Sequence, residues 1–184
     1  MRDAARKKGL ERLKAGLRRA ASFRIGDSGL RGKGVFAAGP IPALTRIANY
    51  CGKTRWIWDI PRDLWPYTFQ VDYDRYKLPR RNTIGWYINH SCSPNCVISG
   101  SSILARRDIK RGEELTFDYS TDVDWPGFAM KCRCGSLNCR GTIRAYRFLP
   151  KELKLRYGER AAPFIVKKYG ILSHARPARL TPRY

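Results

Sequence analysis

Apolar residues in the first two thirds of the chain occur in short runs separated by Gly and Pro, as at residues 34–37, 46–50 and 67–71. Short runs that end at turn-forming residues are typical of β-strands joined by turns. A second strand-rich block is predicted at residues 96–119, with a turn at residues 108–113. The pattern therefore predicts a mainly β fold.

Helical periodicity is predicted near the two ends of the chain. Leu10, Leu13 and Leu17 recur at helical spacing among basic residues, which predicts a short amphipathic basic helix in residues 1–21. That helix could cap the domain, contact DNA, serve as an organelle presequence or remain unpacked. A second helix is predicted at residues 148–157, and a Pro- and Arg-rich stretch follows it to the end of the chain.

The charge of the chain is strongly unbalanced. Thirty-seven lysines and arginines against 15 aspartates and glutamates give 184 residues a formal net charge of +22. This imbalance predicts attraction to polyanions such as nucleic acid, by phosphate contacts that weaken with salt. The basic residues concentrate at the two ends, whereas residues 108–124 are locally acidic. The alternative is that the charge only keeps the surface solvated.

The sequence carries no apolar run of the ~18–20 residues that a membrane span needs, and its charged N-terminus is not followed by the apolar stretch of a signal peptide. We therefore expect a reducing compartment in which thiols stay free. The nucleus, a microbial cytoplasm and delivery into a host all remain open.

Three cysteines stand close together as Cys132, Cys134 and Cys139. This spacing is too crowded for an ordinary disulfide layout and suits thiolates that share one tetrahedral Zn²⁺. The fourth ligand must come from elsewhere, and Cys92 in the Asn-His-Ser-Cys-Ser-Pro-Asn stretch at residues 89–95 is available. A buried Asn–His pair needs polar partners, so the same stretch also indicates a polar ligand.

Five motifs occur in a fixed order, namely Gly-Lys-Gly at 32–34, Tyr-Cys-Gly at 50–52, Asn-His-Ser-Cys at 89–92, Gly-Glu-Glu-Leu-Thr-Phe-Asp-Tyr at 112–119 and CxCx4CRG at 132–141. This order resembles the SET-domain protein lysine methyltransferases with a post-SET zinc module. The resemblance implies a β-clip fold of short strands, with a pseudoknot around the Asn-His-Ser-Cys motif, a zinc-bound post-SET segment and short flanking helices. It divides the chain into a basic helical segment (1–21), a SET domain (22–121), a post-SET zinc segment (122–143) and a basic C-terminal extension (144–184).

The resemblance also implies a role for individual residues. The residues it assigns to an S-adenosylmethionine site are Lys33, Gly34, Tyr67, Asn89 and His90. The residues it assigns to zinc are Cys92, Cys132, Cys134 and Cys139. It places Tyr119 beside the reacting amine and Tyr50 as a second tyrosine of the lysine channel. Cys51 and Cys96 are left over and are expected to be buried thiols.

The chemistry of methyl transfer agrees with these roles. The nucleophile must be a neutral amine, whereas a free lysine with a pKa near ~10.4 is almost entirely charged at neutral pH. A narrow aromatic channel removes water from the amine and favours its neutral form. Tyrosine hydroxyls and backbone carbonyls can orient the lone pair of the amine, so positioning supplies much of the rate. Zinc is structural in this scheme.

Phe117 stands where the family varies between Phe and Tyr. A phenylalanine removes a hydrogen bond and leaves room for added methyl groups, so we expect the enzyme to proceed beyond monomethylation. The alternative is that Phe117 is only a core aromatic. The chain also departs from the family at Trp86, where an arginine is usual.

The sequence therefore predicts a methyltransferase that acts on a lysine of a basic protein, such as a histone or another nucleic-acid-associated protein. Since a chain of charge +22 repels a free basic peptide, a substrate held on nucleic acid is the more natural one. The alternative is a catalytically silent SET-like zinc module that acts as a chromatin or nucleic-acid adaptor.

Overall fold

A computed structural model describes residues 22–29, 32–49, 52–79 and 83–171 of the chain. These ranges contain short β-strands, short 3-10 helices and two α-helices near the C-terminus. The strands are β1 (Phe23–Asp27), β2 (Lys33–Ala37), β3 (Arg46–Asn49), β4 (Lys53–Trp56), β5 (Phe69–Gln70), β6 (Arg75–Leu78), β7 (Asn89–His90), β8 (Cys96–Ser99), β9 (Ser102–Ala105), β10 (Thr116–Phe117), β11 (Ala129–Lys131) and β12 (Thr142–Arg144). The helices are α1 (Lys151–Tyr157) and α2 (Pro163–Lys168).

The strands form several small sheets instead of one continuous sheet. Antiparallel pairing joins β1 to β2, β11 to β12, β3 to β9 to β8, and β4 to β6 to β5. The strands are short because the chain turns at its many Gly and Pro residues before a longer ladder can form. The predicted mainly β fold is confirmed.

One pair of strands is parallel and brings two distant motifs together. β7 lies beside β10, with Asn89 opposite Thr116 and His90 opposite Phe117. Buried Asn95 holds the same region, because its Oδ1 accepts from Thr116 N at 3.0 Å and its Nδ2 donates to the Glu114 carbonyl at 2.8 Å. The Asn-His-Ser-Cys motif and the Phe-Asp-Tyr motif are therefore adjacent in space.

The main hydrophobic core lies between these small sheets. Its centre consists of apolar side chains that are fully removed from water, including Val35, Ile98, Ile103 and Leu115. Cys96 belongs to this core, as expected of a leftover thiol, and burial raises its pKa to about 12. A second cluster, around Tyr146, lies beneath α1 and α2.

The strand predicted at residues 67–71 is shorter than expected. Tyr67 is the last residue of a 3-10 helix, Arg62–Tyr67, and only Phe69–Gln70 is paired as a strand. The backbone N–H and the hydroxyl of Thr68 both donate to the carbonyl of Trp65, so the chain remains in a turn up to Thr68. Alternation of side chains alone does not reveal such a local turn.

The predicted C-terminal helix begins later than the apolar pattern suggested, at Lys151, because Pro150 occupies its N-cap position. The amphipathic helix predicted in residues 1–21, together with Tyr50 and Cys51, lies outside the described residues. None of the helices in the described ranges has the length and apolar character needed to cross a lipid bilayer.

Candidate active site

A cavity of about 750 Å³ opens between the β4–β6–β5 sheet and the β7–β10 pair. Five residues that the sequence assigned to the donor site and the lysine channel line it, namely Lys33, Tyr67, Asn89, Phe117 and Tyr119. The fold therefore brings together residues that are up to 86 positions apart, from Lys33 to Tyr119.

The cavity has aromatic walls. The Phe117 ring lies 4.9 Å from that of Tyr119 and 6.4 Å from that of Phe69, measured between ring centroids. Tyr67 stacks on Trp86 at 4.2 Å, so the tryptophan that departs from the family pattern covers one side of a lining tyrosine. An amine that enters such a cavity exchanges water for ring faces, which disfavours its charged form.

Tyr119 is held at both its backbone and its hydroxyl. Its N–H donates to Nδ1 of His90 at 3.2 Å, and its hydroxyl donates to the carbonyl of Ile88 at 2.9 Å. Asp118 caps the 3-10 turn Tyr119–Thr121 by accepting from Ser120 N at 3.1 Å. The ring of Tyr119 is therefore fixed in the wall of the cavity.

Asn89 is held by a network that the sequence analysis missed. Its Nδ2 donates to the carbonyl of Lys33 at 3.0 Å and to Oε1 of Glu114 at 2.7 Å, and Ser28 Oγ donates to the same Oε1 at 2.7 Å. With both amide hydrogens engaged, Oδ1 is the side-chain atom that Asn89 offers to a ligand. The sequence signal was Glu114 itself, a charged residue next to a strand that enters the core.

Gly34 provides the space for this network. A Cβ at this position would overlap Oε1 of Glu114 and would lie 3.0 Å from the Cβ of Ser28 and 3.1 Å from Nδ2 of Asn89. The glycine is therefore required by protein packing.

His90 lies behind the cavity instead of lining it. The ring is buried, and because Nδ1 accepts from Tyr119 N, the proton is on Nε2, 3.3 Å from the sulfur of Cys92. His90 thus joins the backbone of Tyr119 to a cysteine. Its predicted contact with the donor remains a prediction.

The four cysteines predicted to bind zinc converge beside His90, and we call Cys92, Cys132, Cys134 and Cys139 the thiol cluster. The sulfur of Cys132 lies 3.8 Å from that of Cys92 and 3.6 Å from that of Cys139. Four sulfurs at ~2.3 Å from a tetrahedral zinc ion are ~3.8 Å apart, so these distances fit such a centre. The ligand atoms that lie within 4.8 Å of one another are those of His90, Cys92, Cys132 and Cys134, so this set has His90 where the prediction has Cys139.

The surroundings of the thiol cluster lower the pKa of Cys134 but raise that of Cys92. Burial alone would raise the pKa of Cys134, but hydrogen bonds from the backbone of Cys92 and from Ser136 outweigh it and lower that pKa to about 6. Cys92 accepts from N and from Nε of Arg140, both at 3.4 Å, although burial still raises its pKa. The same guanidinium donates through a terminal nitrogen to Oδ1 of Asp118 at 2.6 Å. Arg140 therefore connects the thiol cluster to the residue before Tyr119.

The comparisons with known proteins agree with this geometry. The family model of the SET domain matches residues 32–120. Residues 32–120 of the chain therefore form a SET domain. That match contains both strands of the β7–β10 pair and ends one residue after Tyr119.

The similar proteins of this family are much longer than the chain. The histone-lysine N-methyltransferase trr of Drosophila melanogaster is 34% identical over an alignment that covers 63% of the chain and 6% of the fly protein. The histone-lysine N-methyltransferase TRX1 of Oryza sativa subsp. japonica is 32% identical, with 78% of the chain and 16% of the rice protein covered. The chain therefore corresponds to a small part of these SET-domain relatives.

A solved SET-domain structure is also similar. The crystal structure of KRYPTONITE in complex with mCHH DNA, H3(1-15) peptide and SAH is 28% identical, with a TM-score of 0.53, and the match covers 69% of the chain and 30% of KRYPTONITE. The fold implied by the sequence motifs is thereby confirmed.

The packing at Gly34 yields a stability prediction. We expect Gly34→Ala to lower the free energy of unfolding by about 1–3 kcal/mol, because the added methyl group forces Glu114 away from Asn89 and Ser28. Urea unfolding with an unchanged slope measures this difference. Gly39→Ala is the control, since no atom lies within 4 Å of a Cβ there, and we expect a change below about 0.5 kcal/mol. Equal stability of the two variants would contradict the packing role of Gly34.

Proposed function

We propose that the protein is an S-adenosylmethionine-dependent protein-lysine N-methyltransferase that modifies a lysine of a basic protein such as a histone. The observation that carries this proposal is the position of Tyr119, which lies in an aromatic cavity together with Asn89 and Lys33. The names of the SET-domain relatives support the reaction, and the SAH in the KRYPTONITE complex supports the donor, because SAH is S-adenosylmethionine without its methyl group.

The donor would bind on the side of the cavity formed by Lys33, Tyr67 and Asn89. Bound there, it supplies a methyl group on a sulfonium. Oδ1 of Asn89 accepts from the ammonium group of the donor, because Glu114 and the carbonyl of Lys33 occupy both hydrogens of its amide. Gly34 and His90 support this side of the cavity from behind, through Glu114 and Tyr119 respectively.

The substrate amine would enter between Phe117 and Tyr119. Since the hydroxyl of Tyr119 donates to the carbonyl of Ile88, its oxygen accepts an N–H from the amine and directs the lone pair toward the donor. The new N–C bond forms as the S–CH₃ bond breaks, and the methylated ammonium then releases a proton to water. The resemblance also assigns Tyr50 to the lysine channel, but this residue lies outside the described ranges.

The thiol cluster would hold one structural Zn²⁺ through Cys92, Cys132, Cys134 and Cys139. His90 and Arg140 donate hydrogen bonds to the sulfur of Cys92 and stabilise its negative charge. The ion would fix the segment that carries β11 and β12 against the β7–β10 pair.

The substrate would be presented on nucleic acid. The net charge of +22 opposes the approach of a free basic protein, whereas a polyanion that carries the substrate attracts the enzyme. The DNA and H3 peptide in the KRYPTONITE complex support this arrangement by analogy.

Tyr119→Phe tests the reaction. We expect the wild-type protein to transfer labelled methyl groups to histones, and we expect the variant to lose about 10²-fold in kcat because the amine is no longer oriented. Scintillation counting of histones, free and bound to DNA over a range of salt concentrations, measures the transfer. Tyr146→Phe is the control, since it removes the hydroxyl of a buried tyrosine that does not line the cavity, and it should keep the wild-type transfer.

Two results would contradict the proposal. Transfer that is equal in wild type and Tyr119→Phe would remove Tyr119 from the mechanism. Binding of DNA without donor binding or transfer would favour the silent adaptor instead.

Phe117 controls the number of methyl groups in this proposal. We expect wild-type enzyme to give di- or trimethyl-lysine, and we expect Phe117→Tyr to shift the product toward monomethyl-lysine, because the added hydroxyl occupies space beside the amine. Mass spectrometry of the product measures the distribution. A wild-type enzyme that stops after one methyl group would contradict this role.

Metal analysis tests the zinc centre. We expect one Zn²⁺ per chain, and we expect Cys139→Ser to lose most of it while the melting temperature falls, because one thiolate ligand is gone. Cys96→Ser is the matched control, since this buried thiol lies in the main core, and it should keep its full zinc content. Stable folding of wild type in the absence of zinc would show that the ion is not structural.

A further inference from the structure

Residues 118–124 form one wall of the cavity, and we call this segment the active-site wall. Tyr119, Asp122 and Val123 line the cavity. The other residues of the segment are buried away from it, including Asp118, Ser120 and Thr121. The wall therefore has a second face, and the position of Tyr119 depends on what supports that face.

Residues 144–171, which we call the C-terminal arm, cover this second face. Hydrogen bonds connect the arm to the wall at successive positions. They join Tyr157 to Asp118 (2.8 Å), Ser120 to Arg144 (2.6 Å), Ala162 to Thr121 (2.8 Å), Tyr146 to Val123 (2.7 Å) and Arg147 to Asp124 (2.9 Å). The arm thus follows the wall along its whole length.

Each end of the wall carries a buried carboxylate that accepts hydrogen bonds from the arm. At the C-terminal end, Asp124 accepts from Lys168 at 2.6 Å, from Arg147 at 2.9 Å and from the hydroxyl of Tyr169 at 3.0 Å. The N–H of Asp124 donates to Oε1 of Gln70, in the sheet across the cavity. A buried charge of this kind is stable only while its partners remain in place.

At the N-terminal end, Asp118 is shared between Arg140, which contacts the thiol cluster, and the arm. Oδ1 accepts from Arg140 at 2.6 Å, whereas Oδ2 accepts from the hydroxyl of Tyr157 at 2.8 Å. Burial, and secondly the charge of Asp118, raise the pKa of Tyr157, so its hydroxyl stays protonated and donates. Removal of that donor leaves one oxygen of a buried carboxylate without its partner next to Tyr119.

We propose that the C-terminal arm is part of the active site and that Tyr157 is a positioning residue, which fixes Tyr119 through the carboxylate of Asp118. The inference deepens the proposed methyltransferase function and depends on it for its kinetic consequence. The arm lies beyond residues 32–120 and is therefore outside the part of the chain that the SET-domain family model matches.

Tyr157→Phe tests the proposal, because it removes one hydroxyl and keeps the ring in the cluster beneath the helices. We expect kcat to fall about tenfold while the KM for S-adenosylmethionine stays within about twofold. We also expect faster hydrogen exchange at the amides of Tyr119 and Ser120, with protection unchanged in the core strands β8 and β9. Exchange is read residue by residue by NMR and needs no catalysis.

Tyr146→Phe is the matched control. Tyr146 is a buried tyrosine of the same cluster, and within the described ranges no hydrogen bond joins its hydroxyl to Asp118. We expect this variant to keep the wild-type kcat and the wild-type exchange at Tyr119. If Tyr157→Phe does not fold, Lys168→Gln tests the arm from its other end, because it removes one donor to Asp124; we expect the same faster exchange at Tyr119 and Ser120.

The outcomes separate the two proposals. A wild-type protein without transfer activity would refute the methyltransferase function, while the exchange data would still decide whether the arm holds the wall. Identical behaviour of Tyr157→Phe and Tyr146→Phe in both measurements would overturn the positioning role. Uniformly faster exchange with an unchanged kcat would also overturn it, since Tyr157 would then stabilise the fold without positioning Tyr119.

Discussion

The buried carboxylate of Asp118 is the constraint on which the site depends. It has almost no contact with water, so the guanidinium of Arg140 balances its charge and the hydroxyl of Tyr157 donates to its second oxygen. These two partners come from separate segments. Loss of Arg140 would leave the buried charge uncompensated, and loss of Tyr157 would leave Oδ2 without its hydrogen bond. Tyr119 directly follows Asp118 in the chain. The hydrogen bonds that hold the carboxylate of Asp118 therefore also limit the positions that Tyr119 can adopt. Burial of a charged carboxylate thus fixes the position of a tyrosine in the cavity wall.

The sulfur of Cys92 also helps to fix the position of Tyr119. It accepts hydrogen bonds from His90 and Arg140. Nδ1 of His90 also accepts from the N–H of Tyr119, and Arg140 also donates to Asp118, the residue before Tyr119. A thiolate at Cys92 strengthens both hydrogen bonds, because charge-assisted bonds are about twice as strong as neutral ones. The state of the thiol cluster and the geometry of Tyr119 are therefore physically coupled, although the cluster lies outside the cavity.

The sequence revealed the residues of the site better than their surroundings. Motif order identified the SET domain, and the apolar runs predicted its short strands, because both signals are local or fixed by family resemblance. Glu114 and Tyr157 escaped notice, since their partners Asn89 and Asp118 are 25 and 39 positions away. No periodicity or spacing rule connects residues across such distances. His90 shows the converse limit: the motif selected the residue, but only the packing revealed that it lies behind the cavity.

The structure shows where the acidic side chains of residues 108–124 lie. Asp118 and Asp124 are consumed by internal pairs with the C-terminal arm and Arg140, and Glu113 pairs with Arg107, so this stretch does not form an acidic surface. Asp122 instead lines the cavity together with Asp74, and their charges add to burial in raising the pKa of Tyr76 to about 12. The cavity therefore contains negative charge in a chain that is otherwise strongly basic. For the proposed function, this charge distribution would attract a lysine side chain into the cavity and would favour a substrate that carries its own polyanion.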